Sequence, residues 1–113
     1  MKRKLTNSQK VLEGIALNDF DKISNHAEQL ILISKQAEWK VMKTPQYEMF
    51  SNDFRRSAEE LVDKAKQKNI DGAAFSYVDL TLTCVKCHKY VRESRQGKLK
   101  IHGKDAFASS LRR

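Results

Sequence analysis

One proline and four glycines are spread over 113 residues. An all-β chain needs many turns, and so few turn-forming residues do not supply them. Lys, Glu, Ala, Leu and Gln are plentiful instead, and these favour helix. The expected class is therefore all-α. Apolar residues make up 40% of the chain and charged residues 32%, an ordinary balance for a soluble protein. At this length one domain with one modest core is expected.

Apolar residues recur at helical spacing in four segments. The first runs from residue 1 to about 17, with Met1, Leu5, Leu12, Ile15 and Ala16 near one face. Asn18, Asp19 and Asp21 then offer caps and negative charge to a second helix, predicted from Phe20 to Val41. Its stripe is Ile23, Ala27, Leu30, Ile31, Ser34, Ala37 and Val41. Thr44-Pro45 is expected to end it, because the residue before a proline is pushed out of helical geometry. Tyr47 to Phe50 add a short turn inside the connection. Ser51 is the expected N-cap of a third helix whose stripe is Phe54, Ala58, Leu61, Val62 and Ala65. Asp71 is the expected cap of a fourth, from Gly72 to Ser94. On that helix Tyr77, Leu80, Cys84, Cys87, His88 and Val91 share one broad inward face, with Phe75, Leu82 and Val85 beside it. Short links between four helices predict an antiparallel up-down-up-down four-helix bundle over residues 1–94, followed by a basic, loop-like tail over 95–113.

Both cysteines of the chain and one of its three histidines fall together as Cys84-Val85-Lys86-Cys87-His88. C-x-x-C-H is the attachment signature of a c-type haem. Two thiols on one helical turn each add to a vinyl group of one porphyrin, and the adjacent imidazole supplies a nitrogen ligand to its iron. Two other readings compete. A structural zinc site would use both thiolates and His88, but it needs a fourth ligand from His26, His102 or a carboxylate. A thioredoxin-like redox pair needs a βαβ setting, which the pattern lacks.

The haem motif on the last helix, close to the C-terminus of a four-helix chain, resembles the class II c-type cytochromes, the cytochrome c′ family. Class I cytochromes carry it near the N-terminus. The resemblance covers roughly residues 1–94. That family continues the motif as C-x-x-C-H-x-x-Y-R. Arg92 matches, whereas Tyr90 stands one position early, so only the arginine carries over. The segment from Ser8 to Arg92 also looks like small bacterial monohaem cytochromes.

The resemblance implies one haem c per chain, thioether bonds at Cys84 and Cys87, His88 as proximal ligand, and Arg92 near the proximal face. It also implies one first-helix side chain over the distal side. By the family's spacing that position falls at or next to Met1, with Leu5 one turn further in. A methionine there gives six-coordinate iron and an electron carrier. A bulky aliphatic group gives five-coordinate iron that binds NO or CO. Electron transfer with His88 and Met1 as iron ligands is the expectation, and gas binding is the alternative. No catalytic constellation accompanies the haem ligands, so an enzyme is not expected. A metal-dependent module without haem is the third hypothesis.

Net charge is +8, much of it at Lys2, Arg3 and Lys4 and again from Arg92 to Arg113. Such a surface steers a redox partner with an acidic face. No recognition-helix or base-stacking motif accompanies the charge, so specific nucleic-acid readout is not expected. No apolar run reaches the length of a membrane span. The charged start lacks the apolar stretch of a signal peptide. With haem c attached, the expectation is a mature, exported form, periplasmic in a bacterium. Family members often dimerise through their first two helices, where Leu5, Leu12 and Ile31 serve either core or interface. His26 is expected to be solvated, His102 lies in the tail, and Met42 and Met49 fill gaps near a bundle end. Trp39 and Phe54 are expected in the core.

Overall fold

The computed structural model describes residues 2–95. They form four α-helices, α1 (Lys2–Leu17), α2 (Phe20–Ser34), α3 (Pro45–Lys66) and α4 (Ile70–Arg95), with a 3-10 turn at Ala37–Trp39. No strand occurs among the described residues. Met1, His102 and most of the basic tail lie outside them. No helix among them is long and apolar enough to cross a membrane.

Two joints use one device. Asn18 takes a left-handed backbone with φ 58°. Its N–H bonds Ile15 O (3.2 Å), and the N–H of Asp19 bonds Gly14 O (2.8 Å). These two bonds close the end of α1 as a Schellman motif. Asp19 also starts α2, its carboxylate accepting from the N–H of Lys22. The α3–α4 joint repeats this pattern. Lys68 has φ 55°. The N–H of Lys68 bonds Ala65 O, and that of Asn69 bonds Lys64 O. Asn69 Oδ1 then accepts from the N–H of Gly72 at 2.9 Å. The cap of α4 is therefore Asn69, and Asp71, expected in that role, sits in the first turn.

The middle of the chain differs from the expected layout. α2 stops at Ser34, and Ala37 and Val41, which continue its apolar spacing, are exposed. The Arg55 guanidinium donates to Ser34 O at 3.0 Å and so satisfies a terminal carbonyl of α2. Thr44-Pro45 begins α3 instead of ending α2. Thr44 Oγ1 accepts from the N–H of Tyr47, and Pro45 occupies the first turn, where its missing N–H costs nothing. Ser51, read as a cap, is buried inside α3 and accepts from the indole of Trp39 at 2.9 Å. This bond, with the Trp39–Phe54 ring contact at 4.9 Å, draws residues 35–43 back onto the bundle end.

α2 packs on α1 and α3, α3 packs on α4, and α1 meets α4 over a shorter stretch. The core is Val11 from α1, Ile23, Ala27 and Leu30 from α2, Phe54, Ala58, Leu61, Val62 and Ala65 from α3, and Ala73 and Leu80 from α4. Leu30 and Leu61 are fully buried. Truncating either to alanine costs about 2–5 kcal/mol.

α1 is rotated from the expected orientation. Leu5 and Leu12 are half exposed or more, so they point outward. The inward series is Lys4, Ser8, Val11 and Ile15, with Asn7 and Gly14 beside it. Most of its first half is polar, and each polar group has a partner on another helix. Lys4 meets His88, Asn7 meets His26 and Ser8 meets Tyr77. His26, expected in solvent, is half-buried, with Nδ1 2.8 Å from Asn7 Oδ1. On the outer side of α4, Phe75, Val78, Leu82 and Val85 are exposed at helical spacing.

Candidate functional site

A cavity of about 650 Å³ opens at one end of the helices. That volume lies in the roughly 300–1,000 Å³ range of small-molecule and cofactor sites. α4 forms one wall with Cys87, His88 and Val91, and carries Arg92 and Arg95 beside it. Arg3 and Lys4 of α1 stand opposite. Ile33, Trp39, Val41 and Tyr47 close the apolar side. Arg3 Nη1 donates to Gln36 Oε1 at 3.1 Å, tying the start of α1 to the segment after α2.

Helical geometry explains the α4 wall. Leu80, Cys84 and Cys87 are three to four residues apart, so they repeat on one side of the helix. Leu80 and Cys87 are buried, and Cys84 is half-buried against the core. The two cysteines form no disulfide. Burial pushes each thiol above its ordinary pKa against the lowering influence of Lys4. Both therefore stay protonated near neutral pH.

His88 follows on the cavity wall. Burial first, then the charges of Lys4 and Arg92, hold its imidazole below the usual histidine range. It is neutral at pH 7. Lys4 Nζ lies 2.9 Å from His88 Nε2. An ammonium only donates, so Nε2 accepts and the ring proton sits on Nδ1. The lone pair of Nε2 thus points at Lys4. The Lys4 ammonium also lies over Trp39, 4.8 Å from the ring centroid, and 5.9 Å from that of Phe54. Behind the cavity, the hydroxyl of Tyr47 donates to Trp39 O. Burial raises the Tyr47 pKa, which keeps that hydroxyl a donor.

The structure brings Cys84, Cys87, His88 and Arg92 to one half of α4, with the last three on the cavity. Arg92 is exposed at its mouth. Leu5 does not line the cavity and is 56% exposed, and Lys4 occupies the α1 position that faces His88. Met1 lies outside the described residues. Tyr90 turns away toward the start of α3, where its hydroxyl pairs with Thr44 Oγ1 at 2.7 Å and its ring meets Phe50. Lys4, Ile33 and Tyr47 are cavity residues that the motif does not mark. Lys4 was recoverable from spacing, since residues 4, 8, 11 and 15 repeat by four and three.

Among the described residues no group of three His, Cys, Asp or Glu side chains converges to hold a metal ion. The zinc reading therefore lacks a ligand set there. A porphyrin would make a different demand on these donors. Its thioether positions lie at the ring edge and its iron at the centre, so two thiols and an imidazole need not meet at one point. Comparison with family models, with curated proteins and with solved structures found no match.

Proposed function

We propose that the chain is a monohaem c-type cytochrome that transfers electrons. In this reading it is an up-down-up-down bundle of the cytochrome c′ type carrying one haem c. The observation that carries the reading is the placement of Cys87 and a neutral His88 on the wall of a cavity with an apolar side and a charged mouth, with Cys84 one turn earlier on the same helix. Cys84 and Cys87 would hold the group through their sulfurs, and His88 would supply a nitrogen ligand to its iron. Thiols that burial keeps protonated and that form no disulfide would suit that attachment, in which each S–H would add across one vinyl group and no oxidant would be needed. The bound group supplies one-electron redox chemistry at its iron.

The chain's own contribution is exclusion and charge. Ile33, Trp39, Val41 and Tyr47 keep water from one side, which limits reorganisation on electron transfer. Arg3, Arg92 and Arg95 around the mouth favour a partner with an acidic face. No catalytic side chain beyond the haem ligands is invoked. Haem c attachment would imply an exported chain, periplasmic in a bacterium.

Expression with a haem c maturation system tests this. The expected product is red, exceeds the polypeptide mass by one haem, and loses the haem in Cys84→Ala/Cys87→Ala. Its lone tryptophan, Trp39, lines the cavity, so its emission should be strongly quenched relative to that variant. A colourless product at the bare mass ends the reading. A high-spin product that binds carbon monoxide moves it to gas binding.

A further inference from the structure

Resting on the haem reading, we propose that Lys4 is the distal ligand, giving iron held between His88 Nε2 and Lys4 Nζ. Nε2 offers its lone pair along the direction of Lys4, because the donor-only ammonium fixes the tautomer of the ring. A metal ion bound at that lone pair stands between the two nitrogens. Lys4 is the α1 residue whose amine lies on that line, and Leu5, one residue on, faces outward.

The distances set what must move. The nitrogens are 2.9 Å apart in this structure. Two metal–nitrogen bonds of about 2 Å each need roughly 4 Å. Lys4 therefore draws back by about 1 Å, which its four-carbon stem allows without shifting the helix. The rings of Trp39 and Phe54 flank the amine and keep it beside the cavity. On coordination the ammonium releases one proton to solvent, and the freed lone pair binds iron; no electrons are transferred. A nitrogen pair, unlike a methionine thioether, leaves the ferric state comparatively favoured, so the assignment also predicts a lower potential than the His88/Met1 arrangement.

The test uses the full chain matured with haem. The wild type should be low-spin, lack a thioether-to-iron charge-transfer band, and resist carbon monoxide when reduced. Its proton NMR spectrum should show lysine side-chain methylene signals shifted far upfield by the porphyrin ring current. Lys4→Ala should become high-spin and bind carbon monoxide. Lys4→Arg, which keeps the charge but has no usable lone pair, should do the same, so loss of charge or of folding is not the cause. Leu5→Ala and Met1→Leu should leave the spectrum unchanged. A haem-bearing Lys4→Ala or Lys4→Arg that stays low-spin overturns the assignment, as does a high-spin wild type or a Met1→Leu that alone turns high-spin. A chain recovered without covalent haem overturns the haem reading and this assignment with it.

Discussion

The indole nitrogen of Trp39 donates to the hydroxyl of Ser51, 12 residues along the chain, at 2.9 Å. Together with the Tyr47 hydroxyl bond to Trp39 O and the Trp39–Phe54 ring contact, this bond ties the segment after α2 to the first half of α3 and helps set the apolar wall of the cavity. Ser51→Ala leaves the indole N–H without its acceptor, and a buried orphan donor costs about 1–3 kcal/mol. Trp39→Phe keeps much of the packing on Phe54 but removes the donor. The two changes should be less costly together than their sum, by about 1 kcal/mol in a denaturant double-mutant cycle. Strict additivity would show that the bond contributes nothing to holding the segment.

Lys68 pays a steric cost that its neighbour in design, Asn18, largely escapes. Both residues are left-handed, at φ 55° and 58°, but asparagine tolerates that region better than lysine. Lys68→Gly removes a clash worth roughly 1–2 kcal/mol and gives part of it back as unfolded-chain entropy. A net gain of about 0.5–1 kcal/mol is expected in thermal or urea unfolding. Asn18→Gly should gain less. Destabilisation by Lys68→Gly would contradict the turn geometry.

A pH-dependent tie links α1 to α2. Glu13 Oε1 lies 2.7 Å from Lys22 Nζ. Bonding to Lys22, then the charge of Lys10, lowers the carboxyl pKa below its ordinary 4.5. Bonding to Glu13 raises that of Lys22 above 10.5. A lowered acid contributes stability that is complete above 4.5 and lost as pH falls through the folded value. A raised base contributes stability that is complete below 10.5 and lost as pH rises through the folded value. The stability gap between wild type and Glu13→Gln should therefore be flat between those limits and close in stronger acid. A gap that persists after the carboxyl is protonated would assign it to packing.

Much of this was legible in the chain. α3 and the first two-thirds of α2 carry clean apolar stripes, and Phe54, Ala58, Leu61 and Leu30 are buried as their spacing predicts. The Cys84, Cys87 and His88 grouping needs only the helical repeat. The failures have physical causes. Thr44-Pro45 serves equally well as a stop and as a start, and only the cap bond to Tyr47 decides. Apolar spacing misplaced the inner face of α1, because that face is mostly polar over its first half and is held by pairs formed across helices. Such pairs lie 19 to 84 residues apart, and no local pattern records them.

That polar seam makes the first half of α1 the most weakly held stretch of the helices. α1 buries only Val11 and Gly14 fully, against eight residues of α3. Its first half, up to Ser8, is held to the other helices chiefly by the hydrogen bonds of Lys4, Asn7 and Ser8, which water can replace. In the chain without any bound group, amide protons of residues 6–11 should exchange with deuterium well ahead of those of 54–65, measured by mass spectrometry. If a haem is attached as proposed, the loosely held start of α1, beside the cavity that Cys87 and His88 line, would be the side from which a flat ring could enter.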